Sequence, residues 1–312
     1  VGPLLAAEAR EAGVVYSIAY GDQPALTCEL VEWARSCGFE VVAAGKGTRY
    51  QPRYHQSTPA TVWDHYGLSA NEAVAGGLNP QMFNSFLDGT KSGIEMAAVA
   101  NACGLNAPKD GLAFPAVGFN RFAQDLIPRA DGGLLDGRGM VEVVASEDRD
   151  GQPLPDDLRW GVYVVFDGET DYVKDCFRQY GVLTDAGGRY AALWRPYHLI
   201  GLELGISVAS VGLRGEPTGC PEAFRADVVA TAKFDLKAGQ RLDGEGGYTV
   251  WGKLMPAADS LRLGGLPIGL AHGVTLKRDV AEGEALGWDD VVYDAADPTI
   301  AFRRQMEAAF GG

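Results

Sequence analysis

Two features of this chain have residue types and spacing suited to proton and charge chemistry. The first is Gly45-Lys46-Gly47, at the end of a buried-type strand that opens at Phe39. Ligands of α/β sheets bind beyond the carboxyl ends of strands, and glycines on both sides of a lysine let the backbone approach a substrate. The alternative is an ordinary turn lysine. The second feature lies between Asn79 and Leu105, a segment that reads as one long helix. On it Asn84, Asp88, Lys91 and Glu95 stand at i, i+4, i+7 and i+11. At about 100° per residue they form one polar stripe about 60° wide on an otherwise apolar helix. Such charges either pair or face a wet cleft, because an unpaired buried charge is too costly. A solvent-facing stripe held by Asp88–Lys91 and Lys91–Glu95 pairs is the competing interpretation. Asp88-Gly89-Thr90 places a glycine inside this helix at a cost of about 1 kcal/mol relative to alanine. Close approach of another group to the backbone is expected there.

Further cations follow the strand. Arg49, Arg53 and His55 share a loop with Lys46 and could clamp a phosphate. Arg195 and His198 precede an apolar helix read from Tyr197 to Val211, whose only charge before Arg214 is Glu203. That carboxylate either pairs with a cation or points into a site. His65 and His272 lack metal-ligand spacing with a second His or Cys, so no zinc site is expected. A divalent ion held by Asp88 or Glu95 with substrate oxygens has no motif behind it.

The elements that must position these residues are of mixed type. Residues 3 to 12 read as a helix running into a strand-like Gly13-Val14-Val15-Tyr16. A helix over 24–38 and a strand over 39–44 complete a strand, helix, strand order of α/β form. This opening reads like the middle of a domain. Strands are expected at 141–145 and 160–166, with a helix at 172–180. The Gly- and Pro-rich stretch 212–222 is the best domain boundary. Beyond it the texture is β-like and contains a repeat: Lys233-Phe-Asp235-Leu236-Lys-Ala-Gly239 recurs 44 residues later as Lys277-Arg-Asp279-Val280-Ala-Glu-Gly283.

A formal charge of −14 argues against nucleic acid and anionic membrane as partners. Five scattered cysteines, with no CxxC, fit a reducing cytoplasm. No run approaches 18 apolar residues, and no signal peptide is recognisable.

The strings YGDQPALTCELVEWARSCGFEVVAAGKGTRY, NPQMFNSFLDGTKSGIEMAAVANACGL, RYAALWRPYHLIGLELGISVAS and FRADVVATAKFDLKAGQRLDGEGGYTVWGKLMPA resemble the homoserine-dehydrogenase-like family that includes 1-deoxy-D-xylulose 5-phosphate reductoisomerase-like enzymes. The resemblance covers nearly the whole chain. It implies an α/β plus β fold: residues 1–22 as the remnant of a Rossmann-type dinucleotide-binding domain, 23–225 as a central α+β substrate domain, 226–295 as a SAF-like β-clip module, and 296–312 as a helical tail. The family's glycine fingerprint is absent, so no cofactor-binding residue is assigned, although NADP(H) or NAD(H) is the implied cofactor. The implied activity is an oxidoreductase or reductoisomerase acting on a small phosphorylated ketose or polyol, in a cytoplasmic homo-oligomer. By the same resemblance Lys46, Lys91 and Asp88 are the catalytic candidates, with an ammonium stabilising a developing alkoxide and donating a proton. Arg49, His55, Asn84, Glu95, Arg195, His198 and Glu203 would line the substrate pocket. Two other functions stay open: a nicotinamide-independent lyase, dehydratase or epimerase on a sugar acid that uses the same carboxylate and lysine stripe, and a SAF-type binding protein without catalysis, in which the SAF-like module recognises a partner and the stripe is structural.

Overall fold

Asp22 starts the helix that leads into the site. Its carboxylate accepts the Gln23 N–H at 2.9 Å, and Pro24 follows in the first turn, where a missing N–H costs nothing. In the computed structural model, which describes residues 1–311, the helices are α1 (Gly2–Glu11), α2 (Gln23–Ser36), α3 (Val62–Tyr66), α4 (Ala70–Ala75), α5 (Pro80–Leu87), α6 (Thr90–Cys103), α7 (Phe122–Asp125), α8 (Asp171–Tyr180), α9 (Leu204–Ala209), α10 (Ala257–Leu263) and α11 (Pro298–Phe310). The strands are β1 (Glu40–Thr48), β2 (Met140–Ala145), β3 (Val162–Asp167), β4 (Tyr190–Arg195), β5 (Ala226–Ala232), β6 (Arg241–Asp243), β7 (Val250–Pro256), β8 (His272–Leu276) and β9 (Val291–Val292). This is a mixed α and β chain with several small sheets.

The chain divides into two compact units. One comprises Gly2–Arg49 and Glu95–Arg225. Its sheet has the order β2-β1-β3-β4, with β1 parallel to β2 and antiparallel to β3. Every residue of β2 and β3 is buried, and the strands read as apolar runs broken by Glu142 and ended by Asp167. Helix α2 turns Leu26, Val31 and Ala34 inward, all 1% exposed or less. The glycines around Lys46 have a packing reason. A Cβ at Gly45 would lie 1.8 Å from the Glu142 carbonyl oxygen, and one at Gly47 would lie 2.1 Å from that of Leu158. The close approach is by the chain itself.

The other unit contains Tyr50–Ile94 and the chain from Ala226 onward, together with Val1. Here β5 pairs with β7, while β6, β8 and β9 form a second sheet. The sequence repeat pairs with itself. Leu236 and Val280 exchange backbone bonds of 2.8 and 3.0 Å. Gly239 N–H donates to Leu276 O at 2.8 Å, and Gly283 N–H, 44 residues later, donates to Ala232 O at 2.9 Å. Asp235 and Asp279 accept from the Glu282 and Ala238 amides of the opposite copy. These matched bonds relate the copies by an approximate two-fold.

Three sequence expectations fail. Residues 14–16 form no strand. Val14 and Val15 are 61% and 38% exposed, and the following backbone bonds to Gly219 and to the Ser207 and Thr218 hydroxyls instead of a sheet. The 79–105 segment is two helices. Gly89 at φ +91° ends the first, and Asp88 Oδ1 accepts the Thr90 N–H at 2.9 Å to start the second. The long helix expected from Tyr197 begins only at Leu204, after a turn with Gly201 at φ +78°, and it finishes in a π-type turn over Ser210–Arg214. Among the described residues no helix is long and apolar enough to cross a membrane.

Candidate active site

Lys46 points from β1 into the interior of its unit and is 5% exposed. Its ammonium donates to Gln23 Oε1 at 2.9 Å and forms a very short ion pair with Glu95, itself 4% exposed. Gln23 is fixed in turn: it is the first residue of α2, and its amide nitrogen donates to Gly161 O at 3.1 Å. Three elements therefore converge on one ammonium: β1 with the lysine, the α2 N-terminus with an amide, and α6 with a carboxylate. Burying a lysine is costly unless a carboxylate and good hydrogen bonds compensate, and this triad supplies both.

The rest of the polar stripe goes elsewhere. Asp88 is fully buried with its Oδ2 2.8 Å from the ammonium of Lys233, which is also fully buried. That ammonium donates further to Ser57 O at 2.6 Å and Gly247 O at 2.8 Å. Burial pushes the Asp88 carboxyl up, and Lys233 acts against that shift. Asn84 is enclosed as well, accepting from the Ser57 hydroxyl at 2.6 Å and donating to Ser57 O and Gly246 O. Lys91 is half-buried, with its ammonium 5.5 Å from the centre of the Phe86 ring. Asn84, Asp88 and Lys91 belong to one compact unit, and Lys46 and Glu95 to the other.

His55 lies on the unit of Asp88. Its Nδ1 is 2.7 Å from the Asp88 carbonyl oxygen, its Nε2 is 2.9 Å from the Tyr50 hydroxyl, and its ring stacks on Trp251 at 3.8 Å. Burial lowers its pKa to about 4, so the ring is neutral at ordinary pH. Arg49 sits just beyond β1, partly exposed, with Nε 3.4 Å from Glu147. Arg195 and Glu203 form a short ion pair, and Arg195 also donates to the Tyr20 hydroxyl at 3.2 Å. Of the two roles open to Glu203, pairing with a cation is the one observed. His198 Nδ1 is 2.7 Å from Trp160 O.

Sequence reasoning passed over Gln23, Tyr20 and Lys233. Gln23 carried no signal, because a glutamine after an N-cap reads as helix start alone. Lys233 did carry one: it opens the first repeat copy, yet its counterpart Lys277 is exposed, and the asymmetry exists only in three dimensions. Among the described residues Glu40, Asp167 and Glu169 bring carboxylate oxygens within 4.8 Å of one another, but Arg138 pairs with Glu40 and Asp167, and Arg189 with Asp167. That group is an ion-pair cluster.

A family model described as "Oxidoreductase DRL, catalytic domain" matches residues 21–204. No individual curated protein matches the sequence. The match takes in Gln23, Lys46 and Glu95 and stops short of Lys233. It covers more than half of the 312 residues, and the chain belongs to the oxidoreductase DRL family, with its catalytic domain at residues 21–204.

Proposed function

We propose that the chain reduces the carbonyl of a small phosphorylated ketose or polyol-derived substrate, with the Lys46 ammonium as the group that meets the developing alkoxide. The observation that carries this reading is the buried Lys46–Glu95–Gln23 triad inside the family's catalytic domain. An ammonium held by a carboxylate and an amide needs no reorganisation when negative charge grows on a carbonyl oxygen, and it can then pass a proton to that oxygen. Glu95 offsets the cost of the buried cation, and Gln23 fixes its direction. Arg49, one residue beyond the end of β1 and partly exposed, would bind a substrate phosphate in competition with its present partner Glu147. A reduced nicotinamide would supply the hydride. The residues of this chain show no dinucleotide fingerprint, so the reading concerns the carbonyl end of the reaction. Asp88, whose oxygens meet Lys233 and the Thr90 amide, serves this reading as a support for the chain break at Gly89. We further read residues 226–295 as a SAF-like module, supported by the self-pairing repeat.

The test follows nicotinamide absorbance when the full-length protein is mixed with NADPH or NADH and a panel of 1-deoxy-D-xylulose 5-phosphate, other phosphorylated ketoses and homoserine-like carbonyl compounds. Oxidation of the cofactor with a phosphorylated ketose, lost with Lys46→Ala, is the expected result. Turnover of a sugar acid without any nicotinamide change would replace this reading with a lyase or epimerase.

A further inference from the structure

The sequence scatters its cysteines, and the fold brings two of them together. Cys28 lies within α2 and Cys103 is the last residue of α6, 75 positions further along the chain. Both belong to one compact unit, and their sulfurs stand 3.4 Å apart in hydrogen-bond contact. Cys28 is 3% exposed and Cys103 8%. The backbone of Gly219 closes over Cys28, since a Cβ there would lie 3.1 Å from its sulfur. Cys37, at the end of α2, is by contrast exposed.

Two thiols already in contact need only a small approach to form a disulfide, whose sulfurs are about 2.05 Å apart. Their roles differ. The hydrogen bond shared with Cys103, and then burial, push the Cys28 thiol well above its ordinary range, while Arg35 acts against that shift. Cys28 therefore keeps its proton. Cys103 is the more exposed sulfur, at a helix end where the Arg35 guanidinium donates to its carbonyl oxygen at 2.7 Å. That makes it the sulfur a small oxidant such as hydrogen peroxide reaches first. As a thiolate it attacks one peroxide oxygen, the O–O bond breaks, and the departing hydroxide takes up a proton, which leaves Cys103 as a sulfenic acid. The Cys28 sulfur then attacks the sulfenic sulfur, the S–O bond breaks, and the leaving hydroxide carries off the Cys28 proton as water. Two thiols are thus oxidised to one disulfide while one peroxide is reduced to two waters.

We propose that Cys28 and Cys103 are a site of reversible oxidation, closing under peroxide to a disulfide that ties α2 to α6. These two helices bring Gln23 and Glu95 to Lys46, so the bridge fixes two walls of that site. This consequence alone rests on the function proposed above, and the bridge itself is read without any substrate. The test treats the full-length protein with hydrogen peroxide, blocks the remaining thiols with iodoacetamide, and maps its peptides with and without dithiothreitol. A peptide linking Cys28 to Cys103 is expected, about 2 Da lighter than the two reduced peptides together and separated by dithiothreitol. Cys37→Ser should form the same link, since Cys37 is exposed and outside the pair. Cys28→Ala should form none, and should leave on Cys103 a sulfenic acid that dimedone traps. Two results on wild type overturn the proposal: Cys28 and Cys103 both recovered as free thiols while Cys37 is oxidised, or Cys103 carried to a sulfinic acid with Cys28 unlinked.

Discussion

Two lysines of this chain are buried, each with a carboxylate, and they are held differently. Lys233 is fully enclosed; its ammonium donates to Ser57 O and Gly247 O and is ion-paired with Asp88, all in its own unit. Lys46 has slight exposure, sits at the end of β1, and is met by two side chains, Glu95 and Gln23, delivered by two helices. An ammonium bound to backbone carbonyls pins a loop. Lys46, on a strand paired on both sides, is instead held by side chains that two helices bring to it. The family match makes the same division, since it includes Lys46 and ends before Lys233. Burial of a charged pair is thus no sign of function by itself; what matters is who supplies the partners.

The sharpest way to break the comparison is to remove Lys233. Lys233→Ala strands a fully buried carboxylate, and breaking such a pair costs about 3–5 kcal/mol. Urea unfolding should show that loss, and replacing both partners, Lys233→Met with Asp88→Leu, should recover most of it. A loss below about 1 kcal/mol would mean that the pair is not the pin described.

His55 tests the same neighbourhood by pH. Its pKa is lowered to about 4 in the folded chain and is near 6.5 unfolded. Above pH 6.5 both states are neutral. As pH falls from 6.5 toward 4 the unfolded chain takes up a proton that the native chain refuses, so stability is lost, by up to about 3 kcal/mol at the lower end. Glu142, fully enclosed and pushed up to about 7 by burial, works in the opposite sense, since its native form keeps a proton between 4.5 and 7. The difference between wild type and His55→Gln isolates the histidine: their stabilities should converge as the pH drops through this window. Parallel curves would contradict the burial of His55.

A smaller effect is expected from Arg49→Ala. Loss of one charge-assisted bond to a phosphate, about 1.5–3 kcal/mol, should raise KM on the order of 10-fold to 100-fold and leave kcat nearly unchanged. If kcat falls instead, Arg49 is closer to the reacting carbonyl than proposed.

Strand β1, helix α2 and the self-pairing repeat were legible in the sequence, because each has a local signature: an apolar run, a capped amphipathic segment, and matched Asp and Gly positions. The polar stripe was only half legible. Its charges were expected to pair with one another or to face a cleft, whereas Asp88 and Glu95 each hold an ammonium from outside the stripe. The partner of Asp88 lies 145 residues away in the chain, however, and spacing on a helix carries no record of such a contact. The single-helix geometry failed at Gly89, where a glycine read as a point of close approach is in fact a left-handed break. Gly45 and Gly47 teach the same lesson, since their small size serves strand packing.

The central claim is that Lys46 acts on the reacting carbonyl while Lys233 holds structure. The most direct measurement is kcat and KM for Lys46→Ala on the ketose that wild type accepts, with folding checked by circular dichroism. A group that meets charge only in the transition state should cost on the order of 100-fold to 1000-fold in kcat and leave KM little changed. A folded Lys46→Ala enzyme with near-normal kcat would contradict the account and leave Lys46 as a second structural pin.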